Sequence, residues 1–85
     1  MKIFIVEDDK WYGQFLGHHL ALNPDYAISN FENGKSYLAA LKEKPDVVCM
    51  DFSLPDATGE ELLKRSKAMS PTTEIIIISG QEDIK

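Results

Sequence analysis

Three short apolar runs, Ile3–Val6, Val47–Met50 and Ile75–Ile78, limit what this chain can fold into. Runs this short and this uniformly apolar read as buried strands, the kind a parallel sheet covers on both faces. Each stops abruptly at polar residues: Glu7-Asp8-Asp9 after the first, Asp51 after the second, Ser79-Gly80 after the third. Ligands of open α/β sheets bind outside the carboxyl ends of the strands. A single strand-end carboxylate such as Asp51 is as readily a solvated loop residue as a functional one. Three such ends, on strands about 4.8 Å apart, can serve one small site together, and that favours the functional reading.

The segments between the runs supply helices and one more strand. Lys10 to Leu22 reads as a helix with Asp8 or Asp9 as its N-cap, and Tyr12, Phe15, Leu16, His19 and Leu20 fall on one face. Gly13 and Gly17 each cost about 1 kcal/mol in a helix interior relative to alanine; their GxxxG spacing could permit a close backbone approach but in a soluble helix reads as incidental. With no cysteine or third histidine nearby, His18 is expected solvated and His19 packed, neither a metal ligand. Tyr26–Phe31 alternates well enough for a half-covered edge strand, and Asn33-Gly34 turns the chain. Lys35–Glu43 forms a short helix that offers Tyr37, Leu38 and Leu41 to the sheet. After the loop Phe52–Gly59, a third helix over Glu60–Met69 turns Leu62, Leu63, Ser66 and Met69 inward until Ser70-Pro71 ends it. The order βαβαβαβ implies a doubly wound parallel sheet with right-handed crossovers.

Composition excludes several classes. Eighty-five residues make one domain, which buries roughly 60–65% of its unfolded surface and is modestly stable. A net charge of −5 disfavours nucleic acid phosphates and anionic lipid as partners. No segment has the length of a membrane span or the form of a signal peptide, and Cys49 has no partner for a disulfide. A reducing cytoplasm is the expected location.

Carboxylates gathered at the strand ends repel one another unless a cation lies among them. The donors are hard oxygens only, so magnesium is expected, with calcium or manganese as possible substitutes. A carboxylate nucleophile beside such an ion suits phosphoryl transfer through an aspartyl phosphate. Ser79 could donate a hydrogen bond to a phosphoryl oxygen, or cap a following helix.

The segments IFIVEDD, VVCMDFSLPDATG and IIIISG, in this order and at these separations, resemble the receiver domain of two-component response regulators. The likeness covers nearly the whole chain. It implies a flavodoxin-like (CheY-like) sheet in the order 2-1-3-4. It implies that Asp51 is the phosphoacceptor, charged by a histidine kinase or histidine phosphotransfer protein. Asp8 would be a direct Mg2+ ligand, Glu7 would act largely through water, and the backbone carbonyl of Ser53 would complete the protein ligands. Ser79 resembles the switch hydroxyl, Pro55 and Gly59 match the turn after the acceptor, and Ser53 and Gln81 occupy positions that tune the lifetime of the phosphoryl group. Asp9 acquires no role.

The resemblance also implies a fourth helix, a fifth strand and a fifth helix, and the chain stops before them. The family's lysine and aromatic switch residue are therefore missing, since Lys85 comes too early. Residues 1–85 are expected to form a C-terminally incomplete receiver domain whose Ile75–Ile78 strand is an unprotected edge, prone to self-association. The expected function is phosphoryl acceptance that switches partner binding, not enzymatic turnover. The rivals are an interaction module that no longer signals and a magnesium-dependent phosphohydrolase. Against the last stands Ser53, where such an enzyme would place a second acid.

Overall fold

A computed structural model describes residues 1–51, 54 and 56–78. Strands β1 (Lys2–Val6), β2 (Ala27–Phe31), β3 (Val47–Asp51) and β4 (Glu74–Ile78) alternate with helices α1 (Lys10–Ala21), α2 (Gly34–Ala40) and α3 (Gly59–Met69). The strands form one parallel sheet in the order β2-β1-β3-β4, as the alternation and the resemblance implied. None of the helices among the described residues is long and apolar enough to cross a membrane.

Register determines which side chains share a face. Phe4 lies opposite Val48 and Val6 opposite Met50, and these four join Tyr37 and Leu41 from the second helical segment and Leu62 from α3 in one buried cluster. The tyrosine brings a hydroxyl into that core, and it meets Ser66 Oγ of α3 at 2.6 Å. A second buried pair, Ser70 Oγ and Thr73 Oγ1 at 2.7 Å, closes the turn after α3, and Thr73 Oγ1 donates to the Pro45 carbonyl. Ser70 thus takes an inward position, whereas Met69, expected inward, is half exposed. The helix expected to run to Glu43 is α2 followed by a 3₁₀ turn over Leu41–Glu43. Lys44 then adopts φ 54°, leaving the helical region just before Pro45, where proline disfavours it.

The other face of the sheet carries a correction. The fully buried residues of α1 are Gly13 and Gly17; of the face expected from helical spacing, Tyr12, Leu16 and Leu20 are half-buried, while Phe15 and His19 are exposed. Lacking a Cβ, the two glycines let the helix lie close over β1 and β2. Asn30 Nδ2 donates to the Gly13 carbonyl at 3.0 Å, and a methyl on Gly17 would stand 3.3 Å from Asn30 Oδ1. The glycine spacing is therefore functional packing, at the expense of helix propensity. Phe15 turns outward, 49% exposed, and stacks on Trp11, which is 78% exposed. His19, expected packed, is exposed with its ring against Phe15.

The buried Tyr37–Ser66 pair gives the first prediction. Ser66→Ala leaves the tyrosine hydroxyl without its partner and should destabilise the protein by about 1–3 kcal/mol. Adding Tyr37→Phe should recover much of that loss, because the stranded hydroxyl goes with it. Urea unfolding of the two variants checks both statements, and a Ser66→Ala midpoint equal to wild type would contradict the first.

Candidate functional site

The parallel pairing of β1 with β3 brings the site together. Val6 faces Met50 across the ladder, so the residues that follow, Glu7 and Asp51, stand side by side at the carboxyl edge of the sheet. Glu7 extends the pairing of β1 with β2 by one more bond, its N–H donating to the Phe31 carbonyl at 2.9 Å. Its side chain stays inside, 6% exposed. Asp8 is exposed and Asp51 half-buried. One carboxylate oxygen from each of Glu7, Asp8 and Asp51 lies within 4.8 Å of the others.

Asp9 is the N-cap of α1. Its Oδ1 accepts from the N–H groups of Trp11 at 3.1 Å and Tyr12 at 3.2 Å, while its own N–H donates to Glu7 Oε2 at 3.1 Å. One residue thus starts the helix and steadies the carboxylate behind it. Beside Glu7 a cleft of about 250 Å³ is lined by Lys10, Gly13, Gln14, Asn30 and Glu32.

Glu7 has the most perturbed environment. Burial pushes its carboxyl from 4.5 up to about 7, against the opposing hydrogen bond from the Asp9 N–H. The Asp51 charge and hydrogen bonds to Asp51 and Asp8 add to the rise. Such crowding of acids is held in check either by a proton or by a cation. The donor set, three carboxylate oxygens with no sulfur or imidazole, fits a hard divalent ion such as Mg2+.

Of the residues expected to form the site, Glu7, Asp8 and Asp51 are brought together. Ser53 and Ser79 lie outside the described residues, as do Pro55 and Gln81. The structure adds Asp56, which the sequence placed only within the loop Phe52–Gly59. Its Oδ1 accepts from the N–H of Gly34 at 2.8 Å and its Oδ2 from that of Lys35 at 3.0 Å. No local pattern could have revealed it, because its partners are 21 and 22 positions away.

Fold and site together define a flavodoxin-like, CheY-like domain with an acidic pocket at the carboxyl edge of its sheet. A model of the response regulator receiver domain matches residues 3–85, and the chain belongs to that family. It is 31% identical over 80 residues to the response regulator receiver protein CpdR of Brucella abortus, covering 93% of this chain and 66% of that one. With the transcriptional regulatory protein FlgR of Helicobacter pylori it shares 38% identity over 80 residues, 94% of this chain but 20% of that protein. The BeF3-activated DrrB receiver domain superimposes with a TM-score of 0.82 at 29% identity, covering 98% of this chain and 71% of the other. This chain therefore spans between a fifth and two thirds of the length of these curated relatives.

The pH dependence of the metal-free protein follows from Glu7. Its native carboxyl, at about 7, holds a proton more tightly than the 4.5 of the free group. The resulting stability is complete below about pH 4.5 and is lost as pH rises through 7. In EDTA, the urea midpoint should therefore fall between pH 4.5 and 7.5, and Glu7→Gln should flatten that slope. An unchanged slope in the variant would remove Glu7 as its origin.

Proposed function

We propose that this receiver domain accepts a phosphoryl group on Asp51 from a histidine kinase or histidine phosphotransfer protein in the cytoplasm, and so switches binding to a partner. The observation that carries the reading is the convergence of the Glu7, Asp8 and Asp51 oxygens within 4.8 Å at the carboxyl ends of β1 and β3. Asp8, Asp51 and the Ser53 carbonyl would hold Mg2+, with Glu7 acting through water. When bound, the ion supplies positive charge that offsets the phosphoryl oxygens. An Asp51 oxygen attacks phosphorus, the P–N bond of the donor phosphohistidine breaks with its electron pair going to the ring nitrogen, and the imidazole, protonated from solvent, departs neutral. Ser79 turns to the new phosphoryl group as the switch hydroxyl. The domain's own chemistry is limited to this self-transfer and its hydrolysis.

Acetyl phosphate with Mg2+ should label wild-type protein on Asp51, read by mass spectrometric mapping after trapping of the acyl phosphate. Asp51→Asn should abolish labelling, and Ser79→Ala should keep it while weakening the accompanying spectral change. Asp8→Asn should weaken Mg2+ binding by about tenfold or more, since a charged hard ligand is lost. Full labelling of Asp51→Asn, or wild-type Mg2+ affinity in folded Asp8→Asn, would overturn the respective assignment.

Partner binding in this 85-residue chain includes a second copy of itself. Support comes from β4, which among the described residues pairs with β3 alone. Ile76 is 54% exposed and Ile77 38%, and no lysine, proline or bulge interrupts Ile75–Ile78 to guard the edge. Sedimentation equilibrium at micromolar concentration should reveal association, and Ile76→Lys should shift it toward monomer. A wild-type protein that sediments as a monomer at every concentration would end this part of the proposal.

A further inference from the structure

Every helix begins with backbone N–H groups that its own ladder cannot use. In α2, the Ser36 N–H is met locally by Asn33 Oδ1 at 2.8 Å. The Gly34 and Lys35 N–H groups are met from elsewhere, by the two carboxylate oxygens of Asp56 at 2.8 and 3.0 Å. Asp56 belongs to the segment joining Asp51 to α3, so the bond pair fastens that segment to a different helix. Both junctions lie at the carboxyl edge of the sheet, where the acidic site stands.

The seam around this bond pair is close-packed. A methyl group on Gly34 would lie 3.1 Å from Leu62 Cδ2 and 3.3 Å from both Ala57 Cβ and Asp56 Oδ1. Leu54 N–H donates to the Ala57 carbonyl at 3.2 Å, and both residues rest against the core cluster. The Gly34 N–H, with Lys35 behind it, holds the Asp56 carboxyl below the usual aspartate range, as a charged acceptor in regular use. Asp51 is thus held in the β3 ladder opposite Ile78, and Asp56, five positions on, by α2.

We propose that Asp56 is a positioning residue: by tying the segment that leaves Asp51 to the N-terminus of α2, it sets the divalent-cation affinity of the acidic site without touching the ion. The inference rests on the functional reading above, in which the carbonyl of Ser53, within that segment, is a ligand. An ion that needs the segment in one place binds more weakly when the tether opens. By linkage, the bound ion must also hold the tether closed by the same factor.

The test is a Mg2+ titration of folded proteins, with foldedness checked by circular dichroism. Asp56→Ala should weaken affinity about tenfold, in the range set by groups that orient a metal's ligands. Asp56→Asn, which keeps one acceptor oxygen, should recover part of the loss. Gly34→Ala, which crowds the same seam while leaving every charge in place, should also weaken binding, separating position from charge. Asn33→Ala removes the local cap of the same helix but not the tether, and should bind Mg2+ within about twofold of wild type. In wild type, saturating Mg2+ should slow hydrogen exchange of the Gly34 and Lys35 amides by about the factor lost in Asp56→Ala, and Asp8→Asn should lack this response. Should Asp8→Asn weaken binding while Asp56→Ala binds as wild type and both amides ignore Mg2+, the positioning role fails and the functional reading stands. Absence of any Mg2+ binding in wild type would overturn both.

Discussion

The parallel pairing of β1 with β3 is the constraint on which the site depends. Backbone bonds hold Val6 opposite Met50, and the next residue on each strand is an acid. Neither carboxylate can retreat, because each is anchored by apolar residues buried in the sheet. Phe4, Val6, Val48 and Met50 are almost wholly hidden. Hydrophobic burial therefore supplies the force that presses like charges together. A shift of either strand by one residue would exchange the side chains on its two faces and take Phe4 and Val6, or Val48 and Met50, out of the core cluster.

That arrangement stores electrostatic tension at the carboxyl edge. Glu7 bears most of it, desolvated by α1 lying close overhead and held by the Asp9 N–H. The two glycines of α1 belong to the same device. They reduce helix propensity, yet they let the helix approach the sheet closely enough for Asn30 to reach the Gly13 carbonyl. Local preference is sacrificed beside the site, where a receiver domain needs its acids crowded enough to welcome a cation.

Away from that edge the polar groups inside the domain are satisfied. Among the described residues, no buried side-chain nitrogen or oxygen lacks a hydrogen-bond partner. Tyr37 with Ser66, and Ser70 with Thr73 and the Pro45 carbonyl, stitch helices and turns across the core. The tension is thus local to the acidic pocket.

The strands, their alternation with helices and the strand-end acids were legible in the sequence, because each is written in neighbouring residues. Apolar runs at Ile3–Val6, Val47–Met50 and Ile75–Ile78 announce buried strands, and polar residues at their ends mark where the sheet stops. The resemblance to receiver domains added the order of the strands and the roles expected of Glu7, Asp8 and Asp51. Helical periodicity, by contrast, placed Phe15 and His19 in the packed face of α1, because it counts apolar side chains and cannot see that two glycines make the closer fit. Asp56 was one more residue of the loop Phe52–Gly59, since the amides it binds lie far off in the chain. What the sequence by itself determined is whatever a strand or helix needs from its own neighbours. Only the tertiary structure decided which face of α1 meets the sheet and which carboxylate ties one loop to another helix, because such contacts exist only once distant segments share the same space.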